Sequence, residues 1–366
     1  MSDSTPGVPA RPGFLFVTCQ NGAERALKAE VARLQPDFRF AFSRGGFLTF
    51  KIAPDRRLAD DFKFDSVFAR AQGFSLGSVQ APSLEEGAAA FWQAAGEHGG
   101  AKDFDALHVW QRDLAAVGYR GFEPHVTPAA LAAQDALLRQ RQDAGGQALS
   151  RVAEPGQLVL DCVLVEPHEW WVGFHRAAAD DDSCFPGGIR DLSMPEHAVS
   201  RAYVKMEEAL RWSGLPIQSG ETCAEIGCSP GGASQCLLDH GLAVMGIDPA
   251  QVDQRVTAHP KFRHLRMRGA EVRRREFRGV DWLAADMNVA PRYTLDTVEA
   301  IVTHASVRVR GLLLTLKLLD WNMAEEIPAY LERVRGWGYS HVRARQLAHN
   351  RREFCVAALR RKRAVR

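Results

Sequence analysis

From residue 200 onward the chain switches regularly between two hydrophobic periods, and that switching limits the possible folds more than any other feature. Short apolar runs of strand character, TCAEIGC (222–228), AVMGIDP (243–249), VDWLAADM (280–287) and GLLLTLKLL (311–319), come one after another. Between and around them lie stretches of helical spacing: SRAYVKMEEALRWSG (200–214), ASQCLLDHG (233–241), TLDTVEAIVTHASVRV (294–309) and AEEIPAYLERVRGWG (324–338). Strands separated by helices pair in parallel, with the helices covering both faces, so this region predicts a doubly wound α/β sheet. Its last two extended pieces, SHVRARQL and REFCVAALRR, follow each other without a helix and predict an antiparallel hairpin closing the domain.

The first strand of that pattern runs into AEIGCSPGGASQ (224–235), with three glycines and a proline inside 227–232. A phosphate loop needs a lysine after its last glycine, and none follows Gly232. The dinucleotide fingerprint GxGxxG is also absent, because Cys228, Ser229 and Pro230 follow Gly227. What remains is Glu225-x-Gly227-x-x-Pro230-Gly231-Gly232, with Asp248 at the end of the next strand, where an acid can accept hydrogen bonds from ribose hydroxyls. A ligand with an adenosine, an amino-acid arm and no phosphate fits this loop. S-adenosylmethionine has that composition.

The first 180 residues read as two smaller α+β units. Residues 1–80 hold strand FLFVTCQ, helix AERALKAEVARL, strand GGFLTFKIA and the extended SVFARAQGFSLGSV. Residues 81–180 hold helix 83–95, strand ALHVWQ, helix PAALAAQDALLRQR and the pair GQLVLDCVLVEP and EWWVGFHRA, spaced as a hairpin. Neither unit carries a catalytic constellation, and a polar Pro/Gly-punctuated crossing leads from them into the domain at 181–366.

Composition narrows the partner. The net charge of +2 conceals 24 Lys+Arg against 12 Asp+Glu from residue 251 onward, leaving 22 against 32 before it. So basic a C-terminal third suits a polyanion, although an arginine-rich sequence filling solvated faces gives the same count. The seven scattered cysteines lack CxxC spacing, which argues for reduced thiols and no metal. The polar, proline-rich start has no signal-peptide core and no apolar run is long enough to span a bilayer, so a cytoplasmic monomer without membrane contact is expected.

Only 8 of the 46 basic residues are lysines. A lysine inside the apolar strand 311–319 therefore asks for a chemical reason, since lysine can lose its proton on burial and arginine cannot. Lys317 is that residue. Lys205 in the preceding helix, Asp286 at the end of VDWLAADM and Glu353 at the start of the last strand stand at ends that converge on the carboxyl edge of such a sheet. Each has a plain structural reading alone: a solvated helix lysine, a turn cap, a hairpin partner for nearby arginines. Together they suit methyl transfer to a ribose 2′-OH, where an amine removes the hydroxyl proton and carboxylates hold that amine in place.

EIGCSPGG and the ordered quartet Lys205, Asp286, Lys317, Glu353 resemble the FtsJ-like RNA 2′-O-ribose methyltransferases and their Lys-Asp-Lys-Glu tetrad. SRAYVKMEEA, AADMNVAP, LLTLKL and ARQLAHNRREFCVAALRR look like one branch, the large-subunit rRNA methyltransferase M type, and stretches of the first 180 residues look like its front half. The resemblance implies a Rossmann-like methyltransferase domain preceded by ferredoxin-like and THUMP-type RNA-binding units. It implies S-adenosylmethionine as cofactor and a cytidine of 23S rRNA near the peptidyl-transferase region, free or in a large-subunit precursor, as substrate. Carried over by position, Lys317 is the general base, Asp286 orients it and lies near the cofactor's methyl end, and Lys205 and Glu353 complete the tetrad. Ser200, Glu225, Gly227, Ser229, Pro230, Gly231, Gly232 and Asp248 match the cofactor side. Arg268 departs from the family, which places an acid there to meet the adenine; Glu271 or backbone would have to substitute. That departure motivates an alternative, a non-catalytic RNA-binding or assembly factor that keeps the fold. A dinucleotide oxidoreductase would share only the α/β pattern.

Overall fold

The computed structural model describes residues 12–97 and 104–360, which leaves most of the proline-rich start outside. Two compact units divide the chain at residues 191 and 192. The first contains β1 (Phe14–Thr18), α1 (Glu24–Leu34), β2 (Arg39–Arg44), β3 (Phe47–Lys51), β4 (Ala71–Gln80), α2 (Leu84–Glu97), β5 (Ala106–Gln111), α3 (Pro128–Asp143), β6 (Leu158–Glu166) and β7 (Glu169–Arg176). Its strands form one seven-stranded sheet in the order β2-β3-β1-β4-β7-β6-β5. The stretches 1–80 and 81–180, expected as separate units, thus share a sheet through antiparallel pairing of β4 with β7. A buried two-point pair joins them again: Arg70 Nη2 lies 2.6 Å and Nη1 3.0 Å from the Asp113 carboxylate oxygens.

Strand alternation gives this sheet two apolar faces. Val109, Cys162 and Val172 pack with Phe91 of α2 and Leu137 of α3. Their neighbours in sequence, Trp110, Val163 and Trp171, turn to the opposite face with Phe16 and Phe47. The expected β6–β7 hairpin is present, in register from Leu158 opposite Arg176.

The second unit contains α4 (Ala202–Ser213), β8 (Thr222–Ile226), α5 (Gly232–Asp239), β9 (Ala243–Ile247), α6 (Gln254–Thr257), β10 (Phe262–Leu265), β11 (Trp282–Asp286), α7 (Pro291–Val302), β12 (Gly311–Lys317), α8 (Ile327–Gly336), β13 (His341–Arg345) and β14 (Glu353–Leu359). The sheet order is β10-β9-β8-β11-β12-β14-β13. β8 to β12 pair in parallel, β14 runs antiparallel to β12, and β13 runs antiparallel to β14. This is the Rossmann-like sheet with a closing hairpin that the periodicity predicted. α7 ends earlier than the expected residue 309: the chain turns after Val302, and Val307 and Val309 continue the apolar pattern as buried residues of a loop.

From β8 the chain winds outward to β9 and β10, then crosses back to β11 on the other side of β8. The carboxyl ends of β8 and β11 therefore flank the switch point, where open α/β sheets form their binding crevice.

Candidate active site

The glycine loop leaves β8 at that switch point. Gly227 has φ +83°, a left-handed conformation costly for any residue with a Cβ. A Cβ there would lie 2.5 Å from the carbonyl oxygen of Asp286, so the loop backbone passes directly over the end of β11. Gly232 opens α5 against Ser200, whose Oγ would stand 2.2 Å from an added Cβ. Only glycine allows both approaches.

The other residues expected on the cofactor side brace this loop. Ser229 donates its N–H to Asp248 Oδ2 at 3.2 Å and its hydroxyl to the carbonyl of Gln251 at 2.8 Å. Asp248 also accepts the Ala250 N–H at 2.8 Å, so each oxygen has one bond to backbone and keeps further accepting capacity. Pro230 accepts the Asp253 N–H at 2.9 Å, and an added Cβ on Gly231 would meet Val252 and Val256. Glu225 is 1% exposed, and its carboxyl accepts the hydroxyl of Ser234 on α5. Burial pushes its pKa up to about 8; Ser234 opposes this and the charges of Asp286 and Asp248 add to it. Arg268 is exposed, and its N–H is received by Glu271 at 3.3 Å, so the proposed substitute acid caps its own turn.

The four residues spread over 149 positions of sequence meet in one cluster. Asp286 and Lys317 are the last residues of adjacent strands β11 and β12, and Glu353 opens β14 directly opposite Lys317. Lys205 reaches in from α4. Its Nζ lies 2.7 Å from Asp286 Oδ2 and 2.6 Å from Glu353 Oε1. Lys317 Nζ lies 2.7 Å from Asp286 Oδ1, an ion-pair contact outside hydrogen-bond angles, and bonds Glu353 Oε2. The result is a closed square in which each amine touches both carboxylates. Burial opposes the charges of Asp286 and Glu353, but the two ammonium groups prevail and hold both below the usual carboxylate range. Burial likewise works against the Lys205 ammonium, and Asp286 and Glu353 outweigh it and raise its pKa. Lys205 is therefore a buried member of the cluster (9% exposed), not a solvated helix residue.

One supporting residue escapes sequence reasoning. Glu208, three positions after Lys205 and on the same helical face, is buried and accepts the N–H groups of Ala348 and His349 at 2.7 and 2.9 Å. It pins the loop that delivers Glu353. The sequence KMEEA offers Glu207 and Glu208 alike, and only burial separates them.

A family model and two relatives place the chain among known proteins. The FtsJ-like methyltransferase family model matches residues 198–327, from just before α4 to the start of α8. The ribosomal RNA large subunit methyltransferase M of Alkalilimnicola ehrlichii is 30% identical over 296 residues, covering 76% of this chain and 71% of that relative. The chain belongs to this FtsJ-like methyltransferase family. The enzyme of the same name from Laribacter hongkongensis is 30% identical over 184 residues, 47% of this chain and 51% of its own length. TrmN from Thermus thermophilus covers 94% of this chain at 16% identity, but with a TM-score of only 0.35.

As a member of that family the protein is an S-adenosylmethionine-dependent methyltransferase. Its own residues fit the cofactor. The glycines let the loop pack tightly against Asp286, Val252, Val256 and Ser200 at the crevice, Asp248 offers accepting oxygens at the end of β9, and no side chain of a phosphate loop is present. Among the described residues all seven cysteines are free, and no helix is long and apolar enough to cross a membrane.

Proposed function

We propose that this methyltransferase modifies the ribose 2′-oxygen of a cytidine in the peptidyl-transferase region of 23S rRNA, with Lys317 as general base. The observation carrying this reading is the Lys-Asp-Lys-Glu square at the switch point, in contact with the end of the strand that the glycine loop crosses. S-adenosylmethionine, when bound, supplies an electrophilic methyl group and a good leaving group. The protein must then align a ribose hydroxyl with it and remove one proton.

The square divides that labour. The Lys205 side chain is 10% exposed and Lys317 18%, so Lys317 is the amine more open to an incoming ribose. Having first released its own proton to solvent, the neutral Nζ takes the hydroxyl proton as it meets the 2′-oxygen. Asp286 and Glu353 fix the direction of that amine. Asp286 lies beneath Gly227 and on this reading orients the amine toward the methyl end of the cofactor site. Ser200, Glu225, Gly227, Ser229, Pro230, Gly231, Gly232 and Asp248 form the cofactor side.

RNA is the polyanion that suits the exposed arginines of this unit. Arg266, Arg268, Arg273, Arg275 and Arg278 follow β10, and Arg351 and Arg352 precede Glu353 at the rim of the square. The first unit, read as ferredoxin-like and THUMP-type parts at 1–80 and 81–180, would add RNA contacts. The chain acts in the cytoplasm as a monomer on rRNA or a subunit precursor. The alternative of a non-catalytic assembly factor gains no support from the site, whose four reacting-group candidates are all in place. Mass spectrometry of 23S rRNA fragments from cells with and without the gene tests the proposal. One cytidine should lose a ribose methyl in the deletion strain, and identical methylation maps would overturn the assignment.

A further inference from the structure

The first unit holds a second cluster that methyl transfer does not use. His108 of β5 lies directly opposite Asp161 of β6, and His175 of β7 pairs with Val159, two residues along on the same face as Asp161. One ligand-capable atom from each of the three lies within 4.8 Å of the others. His108 and Asp161 are both 0% exposed. Neither ring nitrogen of His108 makes a hydrogen bond of good geometry, although the backbone of Cys184 stands nearby. Asp161 Oδ1 is also unpartnered. A buried polar atom left without a bond costs about 1–3 kcal/mol, so two such groups aimed at one point call for a ligand.

His175 is set up as a metal-binding histidine is. Its Nε2 bonds the carbonyl of Ser183 at 2.8 Å, and its Nδ1 is hydrogen-bonded to Asp161 Oδ2 at 2.7 Å, a bond that an ion between the two would replace. A backbone carbonyl on the outer ring nitrogen fixes the orientation in which the inner one ligates. Small side chains, Ala106, Ala153 and Ala177, gather beside Val159 in this part of the unit.

We propose that His108, Asp161 and His175 bind one zinc ion, which ties β5, β6 and β7 to the segment bearing Ser183. Two imidazoles and a carboxylate suit a borderline divalent ion, and the complete burial of His108 and Asp161 suits a structural site more than a catalytic one. Zinc bonds of about 2.0–2.1 Å place tetrahedral ligand atoms roughly 3.3 Å apart, a spacing inside the 4.8 Å limit of this cluster. The other histidine-containing cluster, Glu207, Cys236 and His240, shares the carboxylate–imidazole bond but differs in that Glu207 also accepts from Cys236 and Arg211 and His240 is exposed.

The test uses the untagged full chain, stripped with a chelator and titrated with zinc chloride by calorimetry, with elemental analysis of the product. One equivalent should bind and raise the melting temperature. His108→Leu, which replaces an unbonded imidazole by an apolar group, should fold without metal yet lose roughly 100-fold or more in zinc affinity. Cobalt(II) in the unmutated chain should give visible ligand-field bands without a thiolate charge-transfer band, which reads the donor set even where a variant fails to fold. No stoichiometric zinc in the unmutated chain would overturn the proposal. So would affinity retained in His108→Leu but lost in His240→Ala, which would assign the ion to the other cluster.

Discussion

Replacing Glu225 by glutamine should make the second unit more stable, and increasingly so as the pH rises. The side chain is 1% exposed, and its pKa is pushed up to about 8 from an ordinary 4.5. Below the unfolded value both states carry the proton and the group is neutral to stability. Between the two values the folded state keeps a proton that the unfolded state has released, so stability falls by about 1.4 kcal/mol for each pH step, and the loss levels off above the folded value. The full span is worth roughly 5 kcal/mol as an upper limit, a large part of the typical 5–15 kcal/mol of a folded domain. Glutamine does not titrate and can still bond the Ser234 hydroxyl. Urea unfolding of both proteins from about pH 5 to about pH 9, followed by tryptophan fluorescence, reads the difference while other titrations cancel. The variant's advantage should grow by about 2–5 kcal/mol across that range in the transition of the unit holding Trp212 and Trp282. Parallel pH profiles would mean that Glu225 is ionised when folded, and the reasoning from burial would fail.

Other perturbations follow from the same geometry. Lys205→Met leaves Asp286 and Glu353 with one cation between them, and should cost about 3–5 kcal/mol in urea unfolding near neutral pH; a loss below about 1 kcal/mol would show that the square is not a coupled unit. Gly227→Ala places a Cβ 2.5 Å from the Asp286 carbonyl at φ +83°, so binding of S-adenosylhomocysteine by calorimetry should weaken by about tenfold or more, and unchanged affinity would remove the loop from the cofactor site. Arg352→Ala should weaken rRNA binding and make the slope of log affinity against log salt shallower by about 1 in filter-binding assays; an unchanged slope would remove this arginine from the phosphate contacts.

The second unit was legible because its strands and helices differ in period, and because scarce lysines made Lys317 conspicuous. Lys205 was not legible: nothing in SRAYVKMEEA says whether a helix lysine is solvated or enclosed, and only the approach of β11 and β14 decides it. β2 and β10 escaped notice for a physical reason. RFAFSR and FRHL are edge strands with partly exposed side chains, so burial imposes no clean alternation on them. The joining of residues 1–80 to 81–180 rests on β4 pairing with a strand about a hundred residues later, and such pairing leaves no local mark. The approach of His108 to Asp161 and His175 has the same origin, being a matter of register among strands distant in sequence.

Methyl transfer from labelled S-adenosylmethionine to 23S rRNA of a deletion strain, by the unmutated chain and by Lys317→Ala, tests the assignment of the base most directly. Loss of the amine should lower kcat by about 10²–10⁴-fold, while S-adenosylhomocysteine still binds with unchanged affinity. Transfer by the alanine variant at the full rate would contradict it.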